Sequence, residues 1–339
     1  MMAMRAASDP PLLDQYGKLL RRHEENQVSQ CNDHLCEIIG ECELPLIDLS
    51  GLRNCNGDER RACVAAIVRA SSEWGFFQVV NHGINPEFLG EMRREQMKVF
   101  QTPFERKASC GLLNNSYRWG NPTATSLKHF FWSEAFHIPL TKISDDACYG
   151  EFSTLREVLE KLTAEMSKLA QLLAGVLTEN LGQSNGILQK ICTENTNFLR
   201  LNHYPKCPIS QEICGIMPHT DSDFLTIVYQ DQVGGLQLLK DSKWVAVKPN
   251  RDALIVNIGD LFQVWSNNQY KSVEHKVMTN GRVERYSIAY LLCPSYDSLI
   301  ESYKEPSIYK KFTFGEYRKQ VQADVQKIGH KVGLPRVLL

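Results

Sequence analysis

The spacing of apolar residues changes character twice along the chain. Between residues 151 and 181, Leu155, Leu159, Leu162, Met166, Leu169, Leu173 and Val176 recur at steps of three and four. That period predicts a long helix with one apolar stripe, stopped by Gly182 and packed on a sheet. From residue 197 onward the runs become short and β-rich, with turn residues between them. Phe224 to Tyr229, Leu236 to Leu239, Trp244 to Val247, Ala253 to Ile258 and Arg285 to Leu292 are examples. Many short strands at close spacing predict a sandwich, a barrel or a jelly roll.

The first half mixes the two periods. Leu44 to Leu49 reads as a short strand, Asp58 to Glu73 as a helix and Trp74 to Val80 as a buried strand. Leu89, Met92, Val99 and Phe100 line a second helix that Pro103 ends. Residues 108–150 are irregular and rich in aromatic side chains, which predicts a functional loop or lid. Residues 1–43 are weakly patterned apart from a short helix around Leu12 to His23. Thr313 and Glu316 form a capping box that opens a last helix. The divisions are therefore 1–43, 44–150, 151–196, 197–297 and 298–339.

Composition narrows the class without naming a function. The 339 residues are 43% hydrophobic and 23% charged, with a formal net charge of -1. No dense basic run is present, so neither nucleic acid nor an anionic membrane is an expected partner. No apolar run is long enough to span a bilayer. Eleven cysteines without any C-x-x-C pair suggest free thiols in a reducing cytoplasm, with the nucleus as an alternative location.

The candidate chemistry lies between residues 219 and 287. On a strand, His219 and Asp221 share one face, and His275 sits on the same face as Val273 and Val277. Two histidines and a carboxylate match the facial triad that holds non-heme Fe(II). Zinc and calcium are rivals on spacing alone, as is a hydrogen-bonded core histidine. Arg285 and Ser287 alter the balance. An arginine turned into a barrel is costly unless an anion meets it, and its fork binds a carboxylate bidentately. Beside an iron triad, that anion would be 2-oxoglutarate. An internal pair with Asp or Glu is the alternative.

These residues also carry a resemblance. His219-x-Asp221, His275 and Arg285-x-Ser287 resemble the signature of the plant 2-oxoglutarate- and Fe(II)-dependent dioxygenases. Asn202 to Pro208 resembles their N-x-Y-P-x-C-P segment, and Trp74 to Gly83 their N-terminal signature. The likeness runs from about residue 44 to the end of the sequence. It implies an α+β fold with a mainly β core: a double-stranded β-helix (jelly roll, cupin-like) with flanking helices and an N-terminal mixed α/β region. It implies iron on His219, Asp221 and His275, and 2-oxoglutarate held by Arg285, Ser287 and Tyr204, with Asn202 as a further donor. His203 stands where the family often has an aromatic residue and is not expected to be a ligand.

Within the family the chain most resembles gibberellin 2-oxidases, through Met217 to Thr226, Asp231 to Gln237 and Trp265-Ser266-Asn267. Ser116 to Pro122 and Trp132 to His137 resemble the branch acting on twenty-carbon gibberellins. The implied reaction is 2β-hydroxylation of a gibberellin with O2 and 2-oxoglutarate, releasing succinate and CO2, with ascorbate as the reductant. A gibberellin carries a carboxylate on an apolar skeleton, and Arg118, flanked by Tyr117 and Trp119, is expected to meet it. A dioxygenase for a flavonoid or another gibberellin step, and a non-catalytic hormone-binding barrel, are the competing readings. Oligomeric state is not legible.

Overall fold

The fold is organised by eight consecutive strands that cross repeatedly between two sheets. In the computed structural model the described residues are 6–17, 40–53, 57–109, 111–121, 124, 129–184, 186–192, 196–208 and 213–339. The central strands are β6 (Phe198–Tyr204), β7 (Cys214–His219), β8 (Leu225–Gln230), β9 (Leu236–Lys240), β10 (Lys243–Val247), β11 (Leu254–Ile258), β12 (His275–Met278) and β13 (Arg285–Leu292). Four of them run in the order β11-β8-β13-β6 in the large sheet and four as β10-β9-β12-β7 in the small one. This is the jelly roll that the short, evenly spaced runs predict.

Earlier strands widen the sheets. β1 (Glu41–Cys42) joins the small sheet, while β2 (Leu46–Asp48) and β3 (Phe76–Val80) extend one edge of the large sheet. At its other edge lie β4 (Tyr117–Trp119) and β5 (Glu134–Pro139). Residues 117–119 and 134–139 are therefore sheet, where the sequence suggested loop. Tyr117 pairs with Phe136 and Trp119 with Glu134. The short alternation in that segment was hidden among its aromatic residues.

Period-2 alternation gives the large sheet two faces with different work. One face carries Leu199, Leu201, Ile227, Val256, Ile288 and Tyr290, all fully buried. Helices cover it: α1 (Gly57–Glu73), α2 (Pro86–Phe100), α3 (Phe104–Ala108) and α4 (Ser153–Asn180). The stripe of α4 is the one read from sequence, with Leu155, Leu159, Leu162, Met166 and Leu173 buried in the main core. The opposite face closes on the small sheet, where Phe76, Tyr204 and Ile255 meet Leu236, Leu238, Val247 and Val277.

The capping box opens α6 (Phe314–Ile328), after the short α5 (Asp260–Trp265). Along it Tyr317 is buried, but Val325 is 45% and Ile328 is 40% exposed. The N-terminal segment is better anchored than its composition suggests. Residues 12–17 are helical, Leu12 and Tyr16 are buried, and Tyr16 stacks on Phe130 at 3.9 Å. The continuation of that helix to His23 lies outside the described residues.

Gly75 shows how tightly β3 is docked. It has a φ of +64°, and an added Cβ would stand 2.2 Å from the carbonyl oxygen of Lys271. Gly75→Ala is expected to cost about 2–4 kcal/mol, from the left-handed backbone and the overlap. Urea unfolding measures it, and a loss below about 0.5 kcal/mol would refute this account of the turn.

Candidate active site

His219 is the last residue of β7, and its Cα partner across the small sheet is His275, the first residue of β12. The pairing sets the two rings 4.3 Å apart between centroids. Each ring is held from behind. Nδ1 of His219 lies 2.8 Å from the Met217 carbonyl oxygen, and Nδ1 of His275 lies 3.1 Å from that of Val273. A carbonyl only accepts, so each Nδ1 carries the proton and each Nε2 presents its lone pair inward. Asp221 lies just beyond β7, so a turn and not strand alternation brings it to the same point. Its Oδ1 is 3.6 Å from Nε2 of His219 and 3.9 Å from Nε2 of His275. One donor atom from each residue falls within 4.8 Å of the other two.

The second oxygen of Asp221 is also fixed. Its Oδ2 accepts from Thr226 Oγ1 at 2.6 Å and from Asn257 Nδ2 at 2.8 Å. Oδ1 is thereby left facing the two Nε2 atoms, which suits a cation and no neutral occupant. Burial alone would raise the Asp221 carboxyl, but His275, His219 and these two donors hold it below the usual carboxylate range. Burial, then the neighbouring His275, pushes His219 down to about 3, so its ring is ready to act as a ligand without releasing a proton. The Thr226 hydroxyl also lies 2.8 Å from Asp223 Oδ2. It has one proton. Burial, then the neighbouring Asp221, pushes the Asp223 carboxyl well up, so the Thr226 hydroxyl lies between two carboxyl groups of unequal acidity.

A second group of residues answers an anion. Arg285 pairs with Tyr204 across β13 and β6, while Ser287 lies between Asn202 and Gln230. All five are fully buried on the inner face. Arg285 donates from Nη2 to Gln230 Oε1 at 2.7 Å, and its Nη1 lies 3.5 Å from Ser287 Oγ. Among the described residues no carboxylate pairs with it, and its Nε and the Nε2 of Gln230 have no partner. A buried guanidinium with an orphaned N–H is costly unless a ligand carboxylate completes it. The fork beside Ser287 fits the far carboxylate of 2-oxoglutarate. The internal Arg–Asp or Arg–Glu pair, open from sequence, is not there.

Alternation also sorts the other candidates. His203 falls on the helix-covered face, where Nδ1 meets Glu134 at 2.7 Å and Nε2 meets Glu284 at 3.0 Å. It is a core residue, as expected. Tyr117 and Trp119 fall on that same face. Tyr117 bonds Glu134, and Trp119 packs edge-on against Phe104. Neither can meet a substrate on the inner face, which corrects the expectation for both. Arg118 points to the inner side but is exposed at the sheet edge, donating to the carbonyls of Asn115 and Tyr117. Thr226, Gln230 and Asn257 were missed from sequence. The available signal was a polar side chain alternating within an apolar strand, as Asn257 does within Leu254 to Ile258.

The mouth of the site is tied by residues far along the chain. Asp260, fully buried, accepts from Tyr317 at 2.6 Å and from Ser272 at 2.8 Å, and pairs with Lys331. Lys331 also donates to the Thr220 carbonyl at 2.9 Å, inside the His219–Asp221 turn.

Known families match both halves. The 2OG-Fe(II) oxygenase superfamily matches residues 195–294, and the family described as non-haem dioxygenase in morphine synthesis N-terminal matches residues 44–157. The chain is 54% identical to gibberellin 2-beta-dioxygenase 6 of Oryza sativa subsp. japonica, over 97% of this chain and 96% of that one. It is 53% identical to gibberellin 2-beta-dioxygenase 8 of Arabidopsis thaliana, over 97% and 98%. Among solved structures, JOX2 in complex with 2OG, Fe and JA is 32% identical, with a TM-score of 0.70 over 88% of this chain and 92% of that one.

Two outcomes follow from this geometry. Thr226→Val and Asn257→Ala should each weaken metal affinity about 10–100-fold by freeing Asp221 Oδ2. Anaerobic Co(II) titration followed by absorbance measures this, and unchanged affinity would refute the orienting role. The second concerns acid. Burial holds both His137 and His219 at about 3, against an ordinary value of 6.5. Below 6.5 the unfolded chain takes up protons that the folded chain refuses. The metal-free protein should therefore lose stability as pH falls from 6.5 toward 3, by up to about 1.4 kcal/mol per pH unit for each histidine. Urea melts at pH 7.5 and 5 test this, and His137→Gln should flatten the dependence.

Proposed function

The chain belongs to the 2OG-Fe(II) oxygenase superfamily, and we propose that within it the protein is a gibberellin 2-beta-dioxygenase. It hydroxylates carbon 2 of a gibberellin, or of a twenty-carbon precursor, and so inactivates it. O2 and 2-oxoglutarate are consumed, and succinate and CO2 are released. What supports the substrate is identity above half with two gibberellin 2-beta-dioxygenases over nearly the whole of each chain. What supports the chemistry is the convergence of Nε2 of His219, Nε2 of His275 and Oδ1 of Asp221.

In this reading Nε2 of His219, Nε2 of His275 and Oδ1 of Asp221 would hold Fe(II). Fe(II) with 2-oxoglutarate supplies the oxidation of an unactivated carbon, which no side chain can perform. The chain's own part is placement. The Met217 and Val273 carbonyls aim the imidazoles, and Thr226 and Asn257 aim the carboxylate. Arg285 and Ser287 receive the distal carboxylate of 2-oxoglutarate and Tyr204 donates to its other end, with Asn202 as the neighbouring donor. The apolar residues between the sheets keep water from the reacting carbon. No helix among the described residues is long and apolar enough to cross a membrane. Cys42, Cys63, Cys148, Cys192 and Cys293 are free thiols, which supports a reducing compartment, the cytoplasm, with the nucleus as the alternative.

The test is product analysis by mass spectrometry with Fe(II), ascorbate, 2-oxoglutarate and a panel of gibberellins. A product with one added oxygen at carbon 2 is expected, and its absence with every gibberellin would overturn the reading. His219→Ala should abolish both hydroxylation and 2-oxoglutarate consumption. Arg285→Gln should raise the KM for 2-oxoglutarate by roughly 30-fold or more, the effect of removing one partner of a buried charged pair.

A further inference from the structure

The inner face of the large sheet carries a second cation that the iron and 2-oxoglutarate residues do not use. Arg200 lies at the middle of β6, in a row with His137 on one side and Ala289 then Val228 on the other. It stands one row beyond Asn202 and Ser287 and one row short of Thr226, which holds Asp221. Apart from the half-buried Tyr229, residues on the helix-covered face of these strands are sealed. On the inner face Arg200, Val228, Ala289 and Leu291 are only half-buried. Alternating exposure of this kind within a central sheet marks a cavity, here with a floor of Val228, Ala289 and Leu291 and a guanidinium at its side.

Arg200 is held but not satisfied. Its Nε donates to Asn202 Oδ1 at 2.7 Å. Among the described residues no carboxylate lies within ion-pair distance of it. Arg318 of α6 approaches the same place: its guanidinium carbon is 5.2 Å from the centroid of Phe198, on which His137 stacks at 4.5 Å. Arg318 has no carboxylate partner among the described residues either. His137 Nδ1 is buried without a partner. After burial, the nearness of Arg200, Arg318 and Arg118 is what depresses His137. Cations gathered around a half-open apolar floor, with no carboxylate at ion-pair distance among the described residues, are arranged for a ligand that is apolar and carries a carboxylate.

We propose that Arg200, assisted by Arg318 from the C-terminal helix, is the seat of the substrate carboxylate and selects carboxylated ring systems. This rests on the gibberellin reading above. It assigns to the centre of β6 the role that the sequence suggested for Arg118, which stands at the outer edge two strands away. The apolar skeleton lies over Val228, Ala289 and Leu291, between Arg200 and the metal corner.

The experiment compares a gibberellin free acid with its methyl ester. Wild type, Arg200→Gln and Arg318→Gln are loaded anaerobically with Fe(II) and 2-oxoglutarate, and affinities are read by calorimetry alongside KM in turnover. Wild type should bind the acid at least tenfold more tightly than the ester. Arg200→Gln should lose roughly 30-fold for the acid, bind the ester as wild type does and keep its 2-oxoglutarate affinity within about twofold. Arg318→Gln should show a smaller loss of the same selectivity. Equal weakening of acid and ester, or a fall in 2-oxoglutarate affinity alongside, would mean that Arg200 acts by supporting Asn202, and overturns the proposal. Should Arg200→Gln fail to fold by circular dichroism, the wild-type comparison and Arg318→Gln decide, and no preference for the acid overturns it. Failure of wild type to bind any gibberellin, acid or ester, marks failure of the functional reading itself.

Discussion

Everything in this molecule depends on the two-residue alternation of the large sheet. It puts a mainly apolar layer against the helices and the ligand-facing polar residues on the side of the small sheet, within the same eight strands. The separation is strict. His203 and Asn202 are chain neighbours, yet one is locked between Glu134 and Glu284 in the core and the other reaches Ser287 in the site. A slip of one residue in β6 would exchange them, sending Tyr204 and Asn202 into the helices and His203 into the barrel. The burial of Leu199, Leu201, Ile288 and Tyr290 against α4 opposes that slip, so the core that stabilises the fold also fixes the register of the site.

Within that frame, small polar contacts set the chemistry. The Met217 and Val273 carbonyls choose which nitrogen of each histidine faces inward. Thr226 and Asn257 choose which oxygen of Asp221 does. These groups come from strands of both sheets, so the donor set is assembled only when the sheets are closed on each other. Thr226 also touches Asp223 Oδ2, so the hydroxyl that aims one carboxyl group is itself fixed by a second.

Much of this was legible in the residues. His219, Asp221, His275, Arg285 and Ser287 could be singled out because charged and imidazole side chains in β-rich runs need a partner. The long helix and the jelly roll followed from periods of 3.6 and 2. Other features were not legible for stated physical reasons. Tyr117 and Trp119 looked like pocket residues because three-residue edge strands carry too little alternation to read. Asn257 and Thr226 each act through a partner far along the sequence, and a single polar residue in a strand does not announce that partner. Arg200 was passed over because its neighbours in sequence are apolar. Its significance comes from the row it shares with His137 and Ala289, which only strand pairing creates. The burial of Tyr16 was likewise invisible, since Phe130 and Trp132, which receive it, lie more than a hundred residues away.

The lysine that ties the mouth of the site has a consequence for how the protein is made. Lys331 reaches the Thr220 carbonyl across 111 positions of sequence and neutralises the fully buried Asp260 beside it. During synthesis the histidines and the aspartate emerge from the ribosome well before that lysine does. Until it arrives, Asp260 has no cation and the turn carrying Asp221 has no strut. The metal corner is thus drafted early and completed late, and a nascent chain halted short of Lys331 would carry all three ligands with the turn to Asp221 not yet braced.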